Sequence, residues 1–411
     1  METKKFKLNL IYVLKWISIS ICFGVFCGII GLLFFKFIQT VTAFRISHRN
    51  IVYLIPIGAL LSVGLNKLLN TTHLGTNDVI NSVNSSKTFN PKLLPAIFAS
   101  AIITHLFGGS AGREGAALQM GGGAAVYTGK LLRLKDYELS VLTIAGMGAV
   151  FSALFGTPVG ACVFALEVAY SRKIVFKALI PTIISSFSAF GVSTRLGSHP
   201  ERFIVVSPQY DVSTILKTII ISFAVIVVGC LFCYLIKYCH ANFNKIIKND
   251  YWLIFVGSVM ILLLTVMVGN QDYNGSGSEL ILRVFEDRRV NCYDFILKLI
   301  FTVLTVSIGL RGGEIVPSFC IGATLGAYLS ITLGIDITIG AAIGMAAIFS
   351  TVTKCPLATI SICFEMFGLG CLPLCLISVL LSVFISSKNG LYDYKRNNLT
   401  LLRFIKASRK E

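Results

Sequence analysis

Two glycine-rich segments carry the residue types with which this chain could do chemistry. The first is Phe107-Gly-Gly-Ser-Ala-Gly-Arg-Glu-Gly-Ala-Ala-Leu-Gln-Met-Gly-Gly-Gly123, and the second is Gly312-Gly-Glu-Ile-Val-Pro317 followed by Ser-Phe-Cys-Ile-Gly-Ala-Thr-Leu-Gly326. In each, a glycine turn runs into an apolar helix whose first amides have no intrahelical acceptor. The helix dipole adds partial positive charge at the same end, so each segment favours a bound anion. The expected donors are the N–H of Gly115 in the first segment and those of Glu314, Ile315 and Val316 in the second. Pro317 is tolerated early in its helix, because the N–H it lacks is one the first turn cannot use.

An ionisable Glu114 in such surroundings is expensive unless it has a partner or a task. Its carboxylate can occupy the anion position, held by the same amides. Once protonated it is neutral and swings away. That chemistry makes Glu114 a gate and a proton carrier; the bland alternative is a structural ion pair with a nearby arginine. Glu314 reads as an acceptor for its own loop rather than as a carrier of transported protons. Gly108-x-Ser110-x-Gly112 formally matches a nucleophile elbow, which needs a strand–turn–helix context and a histidine base. The flanks are helical and His105 has no evident acid partner. No His/Cys/Asp/Glu set converges on an activated nucleophile or a metal, so neither an enzyme nor a cofactor nor a metal site is expected.

The elements that position these residues are apolar helices. Of 411 residues, 55% are hydrophobic and 13% charged, against about a quarter charged in soluble domains. Charge-free runs at Trp16–Phe35, Thr218–Ile236, Tyr251–Gln271 and Met366–Ser387 are long enough as helices to cross a hydrocarbon core about 30 Å thick. Ala178–Thr194 and Ile51–Asn66 are at the short end of that range. The runs are continuous rather than alternating, which excludes a barrel and predicts an all-α polytopic membrane protein. The run after Lys15 is longer than a signal-peptide core and lacks a small-residue cleavage site, so it reads as the first helix. The net charge of +17 gathers at the ends (Lys4, Lys5, Lys7; Lys395, Arg396, Arg403, Lys406, Arg409, Lys410) and in short connections. That pattern sets topology, with both termini cytoplasmic and an even number of crossings, and does not point to nucleic acid. The same residues could meet anionic lipid. The twelve cysteines fall mostly in apolar runs and read as small buried hydrophobes.

Three features recur about two hundred residues apart and in the same order. His73-Leu-Gly-Thr-Asn-Asp-Val-Ile80 is weakly echoed at Ser276-Gly-Ser-Glu-Leu-Ile281, Gly112-Arg-Glu-Gly115 at Gly312-Gly-Glu314, and Pro158…Glu167 at Pro356…Glu365. Matched breaks of this kind predict one transmembrane domain of two related halves, about 1–200 and 201–411, with no soluble C-terminal domain. In transporters built from repeats, the substrate sits where such broken helices end.

Gly112-Arg-Glu-Gly115 resembles the GREGP filter motif of the CLC chloride channels and antiporters, and Gly312-Gly-Glu-Ile-Val-Pro317 resembles their GGxFxP motif. Phe155-Gly-Thr-Pro-Val-Gly and Lys354-Cys-Pro-Leu-Ala resemble the family's helix-starting proline segments, and Leu391-Tyr392 the segment bearing its anion-coordinating tyrosine. The resemblance spans nearly the whole chain. It implies an inverted-repeat bundle with discontinuous helices and a homodimer with one anion pathway per subunit. Glu114 becomes the external gating glutamate and Tyr392 a hydroxyl donor to the central anion. Where the family has the serine of GSGIP this chain has Leu74, and the proline after the gating motif is Ala116. With Gly-Gly-Glu in the second filter, these departures resemble the fluoride/proton antiporter branch. Val316 stands where that branch usually has threonine. The internal proton glutamate of chloride antiporters falls on Val168, an absence the fluoride branch shares. The function implied is fluoride export against protons through a cell membrane, the alternative being a chloride antiporter or chloride channel of the same fold.

Overall fold

Segments in contact with hydrocarbon must satisfy their backbone internally, so runs of Leu, Ile, Val and Phe become helices. A computed structural model of the chain describes residues 2–85, 88–169, 172–386 and 390–392. Its first half contains α1 (Glu2–Ser47), a 3-10 segment (Arg49–Leu54), α2 (Ile55–Leu68), α3 (Thr76–Ser85), α4 (Leu93–Leu106), α5 (Glu114–Leu131), α6 (Asp136–Phe155), α7 (Pro158–Val168) and α8 (Arg172–Arg195). The second half contains α9 (Val212–Ile246), α10 (Asp250–Val268), α11 (Ser278–Phe285), α12 (Asp294–Ser307), α13 (Ile315–Leu333), α14 (Ile337–Thr353), α15 (Pro356–Phe367) and α16 (Leu372–Ile385). The short helices α3 and α11 each follow the glycine of an echoed motif, and α7 and α15 each start at its proline. Among the described residues, seven segments are long and apolar enough to cross a membrane.

Where helices touch depends on small residues. A Cβ on Gly121 of α5 would lie 2.2 Å from the Gly146 carbonyl of α6, and one on Gly322 of α13 would lie 2.4 Å from the Gly344 carbonyl of α14. Backbones this close exclude any side chain at the crossing, and the second half reproduces the arrangement of the first. Phe151, Phe155 and Phe164 from the first half join Phe319 and Phe349 from the second in one aromatic cluster, with Phe319 stacked on Phe349 at 5.0 Å. By contrast α1, α9, α10 and α16 present large apolar side chains outward, Phe26, Phe223, Leu263 and Phe384 among them. Such a surface suits lipid and would aggregate in water.

The direction of the halves can be read from two glutamates. Glu167, near the end of α7, accepts from the amides of Leu357 (3.4 Å) and Ala358 (2.8 Å) at the start of α15. Glu365, near the end of α15, accepts from Val159 (3.1 Å) and Gly160 (2.7 Å) at the start of α7. Each carboxylate sits on the positive end of the other helix. Only antiparallel helices can do this to one another, so the two copies run in opposite senses.

Some expectations are corrected. The charge-free run Met366–Ser387 is not one helix: Gly368, at φ +75°, terminates α15, and α16 starts anew at Leu372. Ile51–Asn66 begins as a 3-10 turn and becomes α-helical only at Ile55, next to Pro56. Cys22 in α1 and Cys292 in the turn before α12 are exposed rather than buried; a helix facing lipid, as α1 is, does not need to hide a thiol from its apolar surroundings. The basic residues Lys395 to Lys410 lie outside the described residues.

Gly121→Ala forces two packed backbones apart, and overpacking of this kind costs roughly 1–3 kcal/mol. The expected outcome is a lower thermal midpoint in detergent, followed by size-exclusion of heated samples, with Gly191→Ala, which meets no atom within 4 Å, as the unaffected control.

Candidate functional site

The two glycine segments meet in space. Gly112 donates its N–H to Gly313 O at 2.5 Å, and Gly313 donates back to Gly112 O at 2.6 Å, a single antiparallel bridge between segments two hundred residues apart. A Cβ on Gly313 would lie 2.4 Å from the amide nitrogen of Gly115, so no other residue allows the two segments to come this near. The bridge aims the N-termini of α5 and α13 at one region.

Glu114 is completely buried there. Its Oε2 accepts from the Arg113 amide at 2.9 Å and from the Val316 amide at 3.3 Å. One carboxylate oxygen is thus held from both halves. The ion-pair alternative is present only as a long contact, with Arg113 Nε 3.6 Å from Glu114 Oε1. The guanidinium is bonded instead to Glu201 and lies over the Phe35 ring, 4.9 Å from its centroid.

Beside this junction opens a cavity of about 580 Å³, lined by Leu74, Thr76, Gln119, Arg311, Glu314 and Tyr392 among others. Three expected site residues, Leu74, Glu314 and Tyr392, therefore share one space. Glu114, Gly115 and Val316 form the adjoining wall: a Cβ on Gly115 would lie 3.4 Å from Glu314 Oε2. Ile315 is buried in the core, and the amide that reaches Glu114 from α13 is that of Val316. The Glu314 side chain lines the cavity, and its carboxyl accepts from its own backbone N–H at the start of α13. Tyr392 is buried, and its hydroxyl bonds no protein atom among the described residues.

Three charged residues that position the site were missed from the sequence. Arg311 donates to the carbonyls of Leu74 (2.6 Å), Thr71 (2.9 Å) and Thr72 (2.8 Å), tying the loop before α3 to the second glycine segment. Its signal was a lone arginine just before Gly312-Gly313. Lys298, fully buried, donates to Ser110 Oγ (2.9 Å), Tyr273 O (3.1 Å) and Gly275 O (2.7 Å). A lysine inside the apolar run 295–310 was legible as an oddity but not as a brace. Glu201 had no local signal at all. The elbow-like Ser110 is held by Lys298 and lies 3.0 Å from Thr302 Oγ1, while His105 Nδ1–H donates to Ala101 O at 2.8 Å. No base–nucleophile pair forms.

A model of the voltage-gated chloride channel family matches residues 58–387, and the chain belongs to that family. A chloride/fluoride channel protein of Pseudomonas syringae pv. tomato is 28% identical over 395 residues, covering 94% of this chain and 87% of that protein. A crystal structure of a CLC-type fluoride/proton antiporter superposes with a TM-score of 0.88 at 32% identity, covering 92% of this chain and 97% of the other. A slow cyanobacterial chloride/proton antiporter superposes at 0.77 with 18% identity over 96% and 99% of the two chains, a likeness of fold alone. The protein is a multi-pass, all-α membrane protein with the CLC architecture.

Lys298→Met keeps an unbranched stem, one atom shorter, and removes the donor from two backbone carbonyls. Each buried acceptor left unmet costs about 1–3 kcal/mol. The thermal midpoint in detergent should fall accordingly, and Lys298→Arg should restore part of it.

Proposed function

We propose that this protein is a halide transporter that exchanges fluoride for protons across a cell membrane, with Glu114 as gate and proton carrier. The observation that carries the reading is the Glu114 carboxylate, bonded at once to amides on either side of the Gly112–Gly313 bridge. A negative group held by helix N-termini in a dry interior marks where a small anion would be stabilised. Fluoride is favoured over chloride by the 32% identity with the fluoride/proton antiporter and by Leu74, Ala116 and Glu314 in the positions described above.

The mechanism follows from charge. As a carboxylate, Glu114 keeps the amides of Arg113 and Val316 and excludes a second anion. A proton removes the charge that strengthens those two bonds, and the neutral side chain leaves. The amides are then free for the halide, which the Tyr392 hydroxyl meets from the cavity. Re-ionisation returns Glu114 to the site, so occupation by halide and by carboxylate alternate and the two fluxes are opposed. Transport should therefore weaken as external pH rises and the carboxylate persists.

The chain acts as one transmembrane domain of two related halves, about 1–200 and 201–411, with cytoplasmic termini, and assembles as a homodimer with one pathway per subunit. It binds halide and protons, uses no cofactor and is not an enzyme.

The test is halide efflux from proteoliposomes loaded with fluoride or chloride, with external pH recorded. Fluoride efflux with proton uptake is expected; chloride efflux at comparable rate without proton movement would establish the chloride-channel alternative. Glu114→Gln and Glu114→Ala should abolish proton movement, because neither side chain titrates, and normal coupling in both would remove Glu114 from the gate. Tyr392→Phe should weaken halide binding in calorimetry by about 1.5–3 kcal/mol, one hydrogen bond to a charged group before compensation by water; unchanged affinity would exclude Tyr392 from the site.

A further inference from the structure

The connection between the halves, residues 196–211, is stitched to both of them. Glu201 N donates to Phe155 O at 3.2 Å, at the end of α6. Phe203 N donates to Met366 O at 3.0 Å in α15, and Val206 N donates to Thr338 Oγ1 at 3.1 Å in α14. The Phe203 ring stacks on Phe285 of α11 at 4.5 Å. Pro200 packs against Gly156, whose φ of +68° leaves no room for a Cβ: it would lie 2.4 Å from Pro200 Cα. The backbone that carries Glu201 is therefore fixed on both sides.

Next to this strap two buried groups fail to meet. Arg113 Nε and Glu114 Oε1 are both buried and both without a hydrogen-bond partner, although they carry opposite charge and lie 3.6 Å apart. A donor and an acceptor so placed gain by closing that gap. What opposes closure is visible: the Nη2 end of the guanidinium is bonded to the Glu201 carboxylate, and its face rests on Phe35 of α1. Arg113 is thus divided between two carboxylates, one on the strap and one in the filter. The charged and titratable groups around the pair are few. Glu314 at the start of α13 and Tyr392 lie towards the cavity, and His105 of α4 lies within electrostatic reach of Arg113.

We infer that Glu201 is a positioning residue of the gate, which draws Arg113 away from Glu114 and so sets how readily the Glu114 carboxylate lets go of its site. The inference rests on the reading of Glu114 as the gate. With Glu201 ionised, Arg113 acts on Glu114 through its charge 3.6 Å away but without a hydrogen bond to Oε1. Without it, the guanidinium closes on Glu114 Oε1, the carboxylate form gains a charge-assisted bond, and a more acidic external medium is needed to release it. The strap joins both halves, so any movement between them would also change this division.

The experiment measures fluoride efflux from proteoliposomes as a function of external pH. Glu201→Gln should move the half-maximal pH down by about one unit, a tenfold change in proton concentration. Arg113→Gln should move it up, because the carboxylate loses its cation. In the Arg113→Gln background Glu201→Gln should produce at most a small part of that downward shift, the part due to its own charge acting on Glu114 directly. If Glu201→Gln does not yield folded protein, Glu201→Asp serves, with a smaller shift in the same direction from its shorter reach. A half-maximal pH unchanged by either Glu201 variant overturns the inference. So does a shift of full size in the Arg113→Gln background, since Glu201 would then act on Glu114 without the arginine. The gate itself is checked separately: if Glu114→Gln keeps the wild-type pH dependence, the reading of Glu114 fails; if it removes that dependence while Glu201→Gln shifts nothing, only the positioning role fails.

Discussion

A charge in a protein interior that faces lipid must be met by donors built into the fold, because removing it from water without them costs several kcal/mol or more. Here those donors are amides at the starts of two helices, and two backbone hydrogen bonds between Gly112 and Gly313 hold the helix ends together. A side chain on either glycine would collide with the facing segment or with Glu114 itself. The glycine turns, the inward-facing helix ends and the enclosed carboxylate are consequences of this one contact. Arg311, reaching back to three carbonyls before α3, and Lys298, bracing Ser110 beneath the first segment, keep the two sides of the junction in register.

Two helices can point their N-termini at one place only if they approach it from opposite directions. The halves of this chain satisfy that requirement throughout. Glu167 and Glu365 each cap the helix that carries the other, and the glycine crossings of α5 on α6 recur for α13 on α14. The outer helices then need only to be apolar, and they are. In this chain that division of labour is laid out on the CLC architecture. Inner helices, rich in glycine and alanine, carry geometry; outer helices, rich in leucine and phenylalanine, meet lipid.

Sequence patterns on a single stretch were legible. Charge-free runs announced helices, and the glycine segments announced helix starts competent for an anion. Within runs, breaks were harder: nothing about Met366–Ser387 as a composition distinguishes one long helix from two short ones, and only the positive φ of Gly368 separates α15 from α16. The outward face of Cys22 was misjudged for a related reason, since which face a residue occupies depends on neighbours far away in the chain.

By itself the sequence determined the solvent this protein folds in, the helical class, the recurrence of matched segments two hundred residues apart and the identity of the buried glutamate as the residue that stands out. These are properties of composition and of spacing within a few turns, where hydrocarbon and backbone hydrogen bonding leave one solution. The tertiary structure alone decided that the two glycine segments touch, that Glu114 is held by Val316 across the bridge, that Arg113 turns to Glu201, and that Lys298 and Arg311 brace the loops. Each of these is a contact between residues some ninety to two hundred and forty positions apart, or follows from one. Such pairings are set by how whole helices pack, and no local preference of either partner encodes the other.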